Sequence, residues 1–432
     1  MESTQEKTGR MRWYISTLLF SATTLYYFDR QIFSYVINGN DKSYAKLLGF
    51  LGSDGKVDNV LFGYIDTAHK IAYAIGFLLM GRFLDWIGLK KGFAIGVAVW
   101  SLATIAAAFL YSFWPLFISV MFLGFFQASN HPGCVKTVSE WFPARDRSLA
   151  VGFYNSGTNF GAMIVSSVIP FVCVYLGGWR MAYVIPGMVG FIWVFLWLRA
   201  YDKPENHRTI GKSELAYIAD GRVHNSTYKL GWGTLLSSKQ AWGFAIAKFL
   251  IDPVWFIYLT WLPKIFKESY HVDFKALFIP ITLIYLISLI GNFVGGGLST
   301  YFLKIGWTVN KSRKVAMLAF SLIAVPSFVS AYVTNMWIVV AIVGCVTFAH
   351  QAYSTLLFTT VADVFPKHVV GSVTGFGSMF GAIGGIIAAF SAGFITKAFG
   401  YAPLYFLGSF AYLLGLVIMH LMNPKLKHVD AL

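Results

Sequence analysis

The chain has 432 residues, of which 57% are hydrophobic, 18% aromatic and only 12% charged. A soluble domain carries about 25% charged residues, so this composition excludes an ordinary soluble protein and points to a chain embedded in lipid. The net charge of +15 does not call for nucleic acid, because membrane proteins collect their excess Lys and Arg in cytoplasmic loops.

About a dozen polar residues open the chain, and the apolar run after them is too long for a signal-peptide core, so it reads as the first span. A membrane-crossing helix needs about 20 mostly apolar residues. Twelve such runs follow one another: Trp13–Ile37, Val60–Met80, Gly92–Leu110, Pro115–Ser139, Ala150–Tyr175, Met181–Ala200, Ala241–Leu262, Leu277–Tyr301, Val315–Val333, Met336–Val361, Val370–Thr396 and Ala402–Leu421. The sixth and seventh are separated by the polar, charged stretch 201–240. The expected architecture is therefore an all-α membrane protein of two six-helix bundles, 1–200 and 241–432, joined by a cytoplasmic linker. With the N-terminus inside, the inner segments hold Arg10, Arg12, Arg82, Lys90, Lys91, Arg145, Arg147, Lys311, Arg313 and Lys314 among others. The outer segments hold only Lys42, Lys46, Lys56, Arg180, Lys264, Lys267, Lys275 and Lys397. That bias places both termini in the cytoplasm.

The bundles echo each other at an offset of 223 residues. Val138, Phe142, Pro143, Gly152, Phe153 and Gly161 recur as Val361, Phe365, Pro366, Gly375, Phe376 and Gly384. Paired hydrophobic halves of this kind point to a secondary transporter, with its site at the interface of the repeats near the bilayer midplane. Enzyme chemistry finds no support. There is no metal-spaced His/Cys cluster, no phosphate-binding loop and no nucleophile–base pair, so no cofactor or metal is expected. Cys134, Cys173 and Cys345 all lie in apolar runs and suggest no disulfide framework.

Seven charges fall inside predicted spans: Arg30, Lys70, Lys136 and Lys248, with Asp29, Asp66 and Asp252. A lone charge at mid-bilayer costs roughly 2.5–3.5 kcal/mol on insertion scales, so such residues pair with one another or line a watery cavity. Asp66 and Lys70 are four apart, as are Lys248 and Asp252, which puts each pair on one helix face. Asp29 and Arg30 are adjacent and must look in different directions. Asp252 lies one repeat length after Asp29.

Several stretches resemble known sequences. Gly81 to Lys91, GRFLDWIGLKK, resembles the loop 2–3 signature of the major facilitator superfamily, keeping Gly81, Asp85, Gly88 and Lys90 and departing at Trp86 and Leu89. The Asp29–Arg30 pair and the Trp141-Phe142-Pro143 turn resemble the anion:cation symporter family within it. Tyr64–Tyr73, Lys136–Ala162, Lys248–Trp255 and Ala349–Ala352 are similar to bacterial hexuronate (glucuronate and galacturonate) transporters. The resemblance implies a monomeric symporter in the bacterial inner membrane that imports a sugar acid with protons. It also implies that Gly81, Asp85, Lys90 and Lys91 latch the inner face. Many relatives carry a glutamate where Gln127 stands; a glutamine cannot titrate, so any proton role falls elsewhere.

A hexuronate requires fixed cations for its carboxylate and neutral hydrogen-bonding groups for its hydroxyls. Arg30 is the first carboxylate ligand, because its planar fork matches a carboxylate in two bonds. Lys70, Lys136 and Lys248 are further candidates, each with a structural alternative in the acid four residues away. For Lys136 that acid is Glu140. Asn155, Asn159, His350 and Gln351 are candidate hydroxyl ligands, and Tyr27 and Tyr73 candidate ring contacts; interhelical hydrogen bonding and plain packing are their alternatives. Asp29 leads as proton carrier, followed by Asp252 and Asp66. A carboxylate balanced between desolvation and a nearby cation can gain and lose a proton as access alternates. The expected partners are therefore a small anionic sugar acid, protons and the lipid bilayer. The rivals are another anion carrier of the same fold, for an aldonate, dicarboxylate or aromatic acid, and a membrane sensor that does not transport.

Overall fold

The structure, a computed structural model, describes residues 9–38, 43–51, 59–219, 232–270 and 278–427. Half of the outer connection Asn38–Asn59, which looks long in the sequence, lies outside these residues. So do the middle of the 201–240 linker and the basic residues Lys7, Lys42, Lys56 and Lys275.

The first bundle comprises α1 (Met11–Asn38), the short α2 (Ser43–Leu47), α3 (Asn59–Ile87), α4 (Leu89–Ala107), α5 (Phe113–Gln127), α6 (Asn130–Trp141), α7 (Ala144–Tyr175) and α8 (Trp179–Ala200). The linker carries α9 (Lys212–Ala219) and α10 (Trp232–Ser237). The second bundle comprises α11 (Lys239–Tyr270), α12 (Phe278–Lys304), α13 (Val309–Ala324), α14 (Met336–Val364), α15 (Val370–Phe399) and α16 (Ala402–Met422). Among the described residues, ten segments are long and apolar enough to cross a membrane. Helices α1 and α3, of 28 and 29 residues, also exceed the length a bilayer requires at about 1.5 Å per residue. Their polar and charged residues, Asp29, Arg30, Asp66 and Lys70 included, lower their hydropathy. With them the count is twelve spans in two bundles.

Local chemistry sets the breaks. The fourth span reads as one run but folds as two helices, α5 and α6, interrupted at Ala128–Ser129. Pro132 has no N–H to offer the Ala128 carbonyl, and the Ser129 hydroxyl donates instead to Phe126 O at 2.7 Å. The ninth span begins earlier than its apolar run suggests, because Thr308 caps α13 by accepting from Lys311 N. It ends in a 3-10 turn, Val325–Ala331, that contains Pro326. The repeated Phe-Pro turns have one cause: a residue before proline is driven out of the helical region. Phe142 (φ −123°) and Phe365 (φ −104°) are both extended, ending α6 and α14. The repeat extends to Gly177 (φ +104°) and Gly400 (φ +69°), where the chain needs the left-handed region that favours glycine.

The bundles meet along two seams, α3 against α15 and α7 against α12, with α6 and α14 between them. Both seams depend on small residues. A Cβ on Gly81 would strike the backbone of Gly371 and Gly375, and one on Gly296 would strike Ser148 and Leu149. Close backbone approach of this kind is how helices associate where no hydrophobic force separates protein from lipid.

Candidate functional site

A central cavity lies between the bundles. Tyr26, Tyr27 and Arg30 reach it from α1, and Tyr73 and Phe77 from α3. His131 comes from α6, Asn155 and Thr158 from α7. The second bundle supplies Lys248, Asp252, Trp255 and Phe256 from α11, His350, Gln351, Ser354 and Phe358 from α14, and Ser378 from α15.

The charges here are unequal in their partners. Lys248 donates to Asp252 at 2.8 Å, one turn on, and sits 4.6 Å over the Phe358 ring. Arg30 has no acidic group within 4 Å among the described residues. Its guanidinium lies near the Tyr26 hydroxyl at 3.4 Å and against the Tyr73 and Phe256 rings, at 5.6 and 5.7 Å. Tyr26 and Tyr73 hydrogen-bond to each other through their hydroxyls. The cavity wall therefore carries two cations and one carboxylate.

Amides close the far side. Asn155 Nδ2 donates across the bundle interface to Asn292 Oδ1 at 2.7 Å and to Gln351 Oε1 at 3.2 Å. Thr355 also donates to Asn292, and Gln351 Nε2 donates to Asn159 Oδ1 at 3.4 Å. Asn159 thus lies behind the wall rather than on it. His350 stacks on Trp255 with ring centroids 5.3 Å apart, and its Nδ1 lies 3.1 Å from the Tyr412 hydroxyl. His131 stacks on Phe358 at 5.3 Å, and its Nδ1 is buried without a hydrogen-bond partner, as is the Ser378 hydroxyl.

Four expected site residues, Lys136, Lys70, Asp66 and Asp29, stand elsewhere. Lys136 is held at one end of the bundles, where its Nζ meets Asp85 Oδ1 at 2.5 Å with both side chains buried; Glu140 accepts from the Tyr201 hydroxyl. A buried amine with so close a carboxylate has no free face for a ligand. Lys70 meets Asp66 at 2.6 Å, and that pair with Asp29 lines a second cavity inside the first bundle. Asp29 makes no ion pair with Arg30 within 4 Å, although both line this second cavity. Its Oδ1 is buried without a hydrogen-bond partner.

The end where the described chain begins, at Gly9, and finishes, at Lys427, is closed by contacts between the bundles. Asp85 Oδ2 accepts from Ser372 N and Oγ, both at 2.6 Å, at the first turn of α15. A carboxylate there answers the unpaired N–H groups and positive end of the helix. Asp363, on α14, accepts from Arg147 of α7 at 3.0 Å and Arg313 of α13 at 2.9 Å. Arg313 is wholly buried and also donates to Ser148, Ser299 and the Ala144 carbonyl. Lys90 instead pairs with Asp202 inside its own half, at 2.9 Å, and Lys91 is exposed.

Charge counting missed Asn292, Trp255, Ser378 and Tyr26, all neutral. A polar residue within an apolar span was the available signal for Asn292 and Ser378; for Tyr26 and Trp255 nothing set them apart from ordinary core aromatics.

The profile of the Major Facilitator Superfamily matches residues 19–389. The chain is 28% identical over 418 residues to the "Hexuronate transporter" of Escherichia coli, covering 96% of this chain and 94% of that protein. It is also 28% identical over 411 residues to the "Probable galactarate/D-glucarate transporter" of Bacillus subtilis, covering 91% and 88%. Its fold is similar to that of the proton:xylose symporter XylE, with a TM-score of 0.77 at 14% identity, over 97% of this chain and 98% of that one.

Proposed function

The chain belongs to the Major Facilitator Superfamily, and from that premise we propose that it is a proton-coupled importer of a sugar acid, a hexuronate such as glucuronate or galacturonate. Such a carrier works by rocking residues 1–200 against 241–432 around the central cavity. The observation that carries the reading is Arg30: a cation on a cavity wall between the bundles, with no carboxylate within 4 Å among the described residues. An intramembrane charge left in that state is a ligand site in waiting.

The charge balance favours one carboxylate over two. Lys248 is already matched by Asp252, so the wall offers one net positive charge to an anion. Asn155, Gln351 and His350 are suited to the hydroxyls, and Tyr27, Tyr73 and Trp255 to the ring. The names of the relatives, hexuronate and galactarate/D-glucarate transporters, support the substrate class. We assign the closed end, with Asp85 and both termini, to the cytoplasm of a bacterial inner membrane, from the Lys and Arg bias. Asp29 is the group to which we assign the coupling proton, with Asp252 and Asp66 behind it.

Counterflow in vesicles preloaded with glucuronate, galacturonate, galactonate, glucarate or succinate tests the substrate. Exchange limited to the hexuronates is expected; preference for glucarate or succinate overturns the single-carboxylate reading. The same vesicles under a pH gradient test coupling. Asp29→Asn is expected to keep exchange and lose accumulation, and unchanged accumulation removes Asp29 from the mechanism.

A further inference from the structure

Successive residues on a helix point about 100° apart, and here that turn separates two cavities. Arg30 lines the central cavity, whereas Asp29 lines only the second one, inside the first bundle. This side cavity lies between α1, α3, α4, α5 and α8 and is roomier than the central one, about 300 Å³ against about 60 Å³. The two share Tyr27, Arg30 and Phe256 as a common wall.

We infer that the coupling proton reaches Asp29 through this side cavity, by a route separate from the one the sugar acid takes. The inference rests on the proton-coupled reading above and adds the path. Three observations carry it. First, Asp29 is buried, with an oxygen that has no hydrogen-bond partner, on the wall of an open volume rather than in packed core. A buried carboxylate without a paired cation is costly unless it is hydrated or protonated. Second, the wall opens toward Asp66 and Lys70, whose side chains are 47% and 22% exposed. The lining residues of α1, α3, α5 and α8 all belong to the ends of those helices away from the closed face, which is the outer side in the orientation proposed above. Third, the wall offers a sugar acid no net positive charge, because Asp29 and Asp66 balance Arg30 and Lys70, and much of the rest is apolar, including Phe62, Leu116 and Val120.

The titratable and charged groups facing Asp29's cavity are Tyr27 and Arg30 from α1, Asp66, His69 and Lys70 from α3, and Tyr183 from α8. Those lining it from α4, α5 and α11 are neutral, with Thr104 the polar group toward Asp29. His69 is tied to Gln127 at 3.1 Å. Arg30 is the one charged side chain on the shared wall. A proton arriving at Asp29 changes the charge of a cavity that Arg30 also lines, so the two ligands influence each other across the shared wall instead of competing for one volume.

The test places single cysteines at Val120, in the side cavity, and Ser378, in the central one. Each is labelled from outside with a small charged methanethiosulfonate, against the background of the unsubstituted protein. With saturating glucuronate, loss of labelling is expected at Ser378→Cys and persistence at Val120→Cys; equal protection at both overturns the separate route. Filling the side cavity is the second arm. Val120→Phe and Ala107→Leu are expected to keep counterflow and lose pH-driven accumulation. Full accumulation in both also overturns the inference. Absence of counterflow in the unsubstituted protein overturns the sugar-acid reading itself, so the two failures are distinguishable.

Discussion

At the scale of single residues, the intramembrane charges divide by partner rather than by type. Arg30 offers a planar fork to the cavity, and a lysine has no equivalent pair of parallel donors. Arg30→Lys is expected to weaken sugar-acid binding by about tenfold to a hundredfold, the loss of roughly 1.5–3 kcal/mol for a charge-assisted bond; equilibrium binding or the half-saturation of counterflow measures it. Asp85→Asn acts differently, because it strands Lys136 in a buried site. Removing one partner of a buried ion pair costs about 3–5 kcal/mol. The variant is therefore expected to melt well below the unsubstituted protein in detergent. Asp85→Asn combined with Lys136→Met is expected to recover much of that loss, since neither charge then remains unpaired.

At the scale of elements, the seams decide how the halves move. α3 and α15 approach where Gly81 faces Gly371 and Gly375, and α7 and α12 approach where Gly152 faces the Asn292 carbonyl. A side chain there has backbone as its neighbour, which cannot step aside as a flexible side chain can. Gly375→Val is expected to push α3 and α15 apart while leaving each bundle folded. A cysteine at Ser354 in the cavity should then react faster with reagent supplied from the side of Asp85. An unchanged rate would show the seam tolerates the extra bulk. Linker helix α9 belongs to the first bundle by contact. Glu214 accepts from Met11 N and Arg12 N and pairs with Arg12, while Tyr217 donates to Asp146.

At the scale of the whole molecule, one end is locked by Asp85 with Ser372, and by Asp363 between Arg147 and Arg313. The arrangement keeps an echo of the repeat: Asp363 stands 223 residues after Glu140, and Arg313 after Lys90. Yet Lys90 and Glu140 bond to Asp202 and Tyr201 at the start of the linker, whereas Asp363 and Arg313 reach across to Arg147 and the Ala144 carbonyl of the first bundle. Asp363→Asn is expected to favour opening of this end, read by faster labelling of the same Ser354 cysteine from that side. Because the cluster is buried, the difference should change little between low and high salt.

The twelve spans, the two Phe-Pro turns and the pairing of Lys248 with Asp252 and of Lys70 with Asp66 were all legible in the sequence alone. They rest on local rules: apolar length, the missing proline N–H, and four residues per shared helix face. The separation of Asp29 from Arg30 was legible only as a divergence, since adjacency shows that two side chains part but not what each meets. What tertiary structure decided was which neighbour each face turns toward. It sent Lys136 to Asp85, 51 residues away, and Asp85 to Ser372, 287 residues away. It brought the neutral Asn292 to Asn155, and it opened one cavity beside Arg30 and another beside Asp29. Helical periodicity fixes the angle between side chains on one helix. The rotation of that helix against its neighbours is set by packing among all twelve, and partners so far apart in sequence leave no local trace.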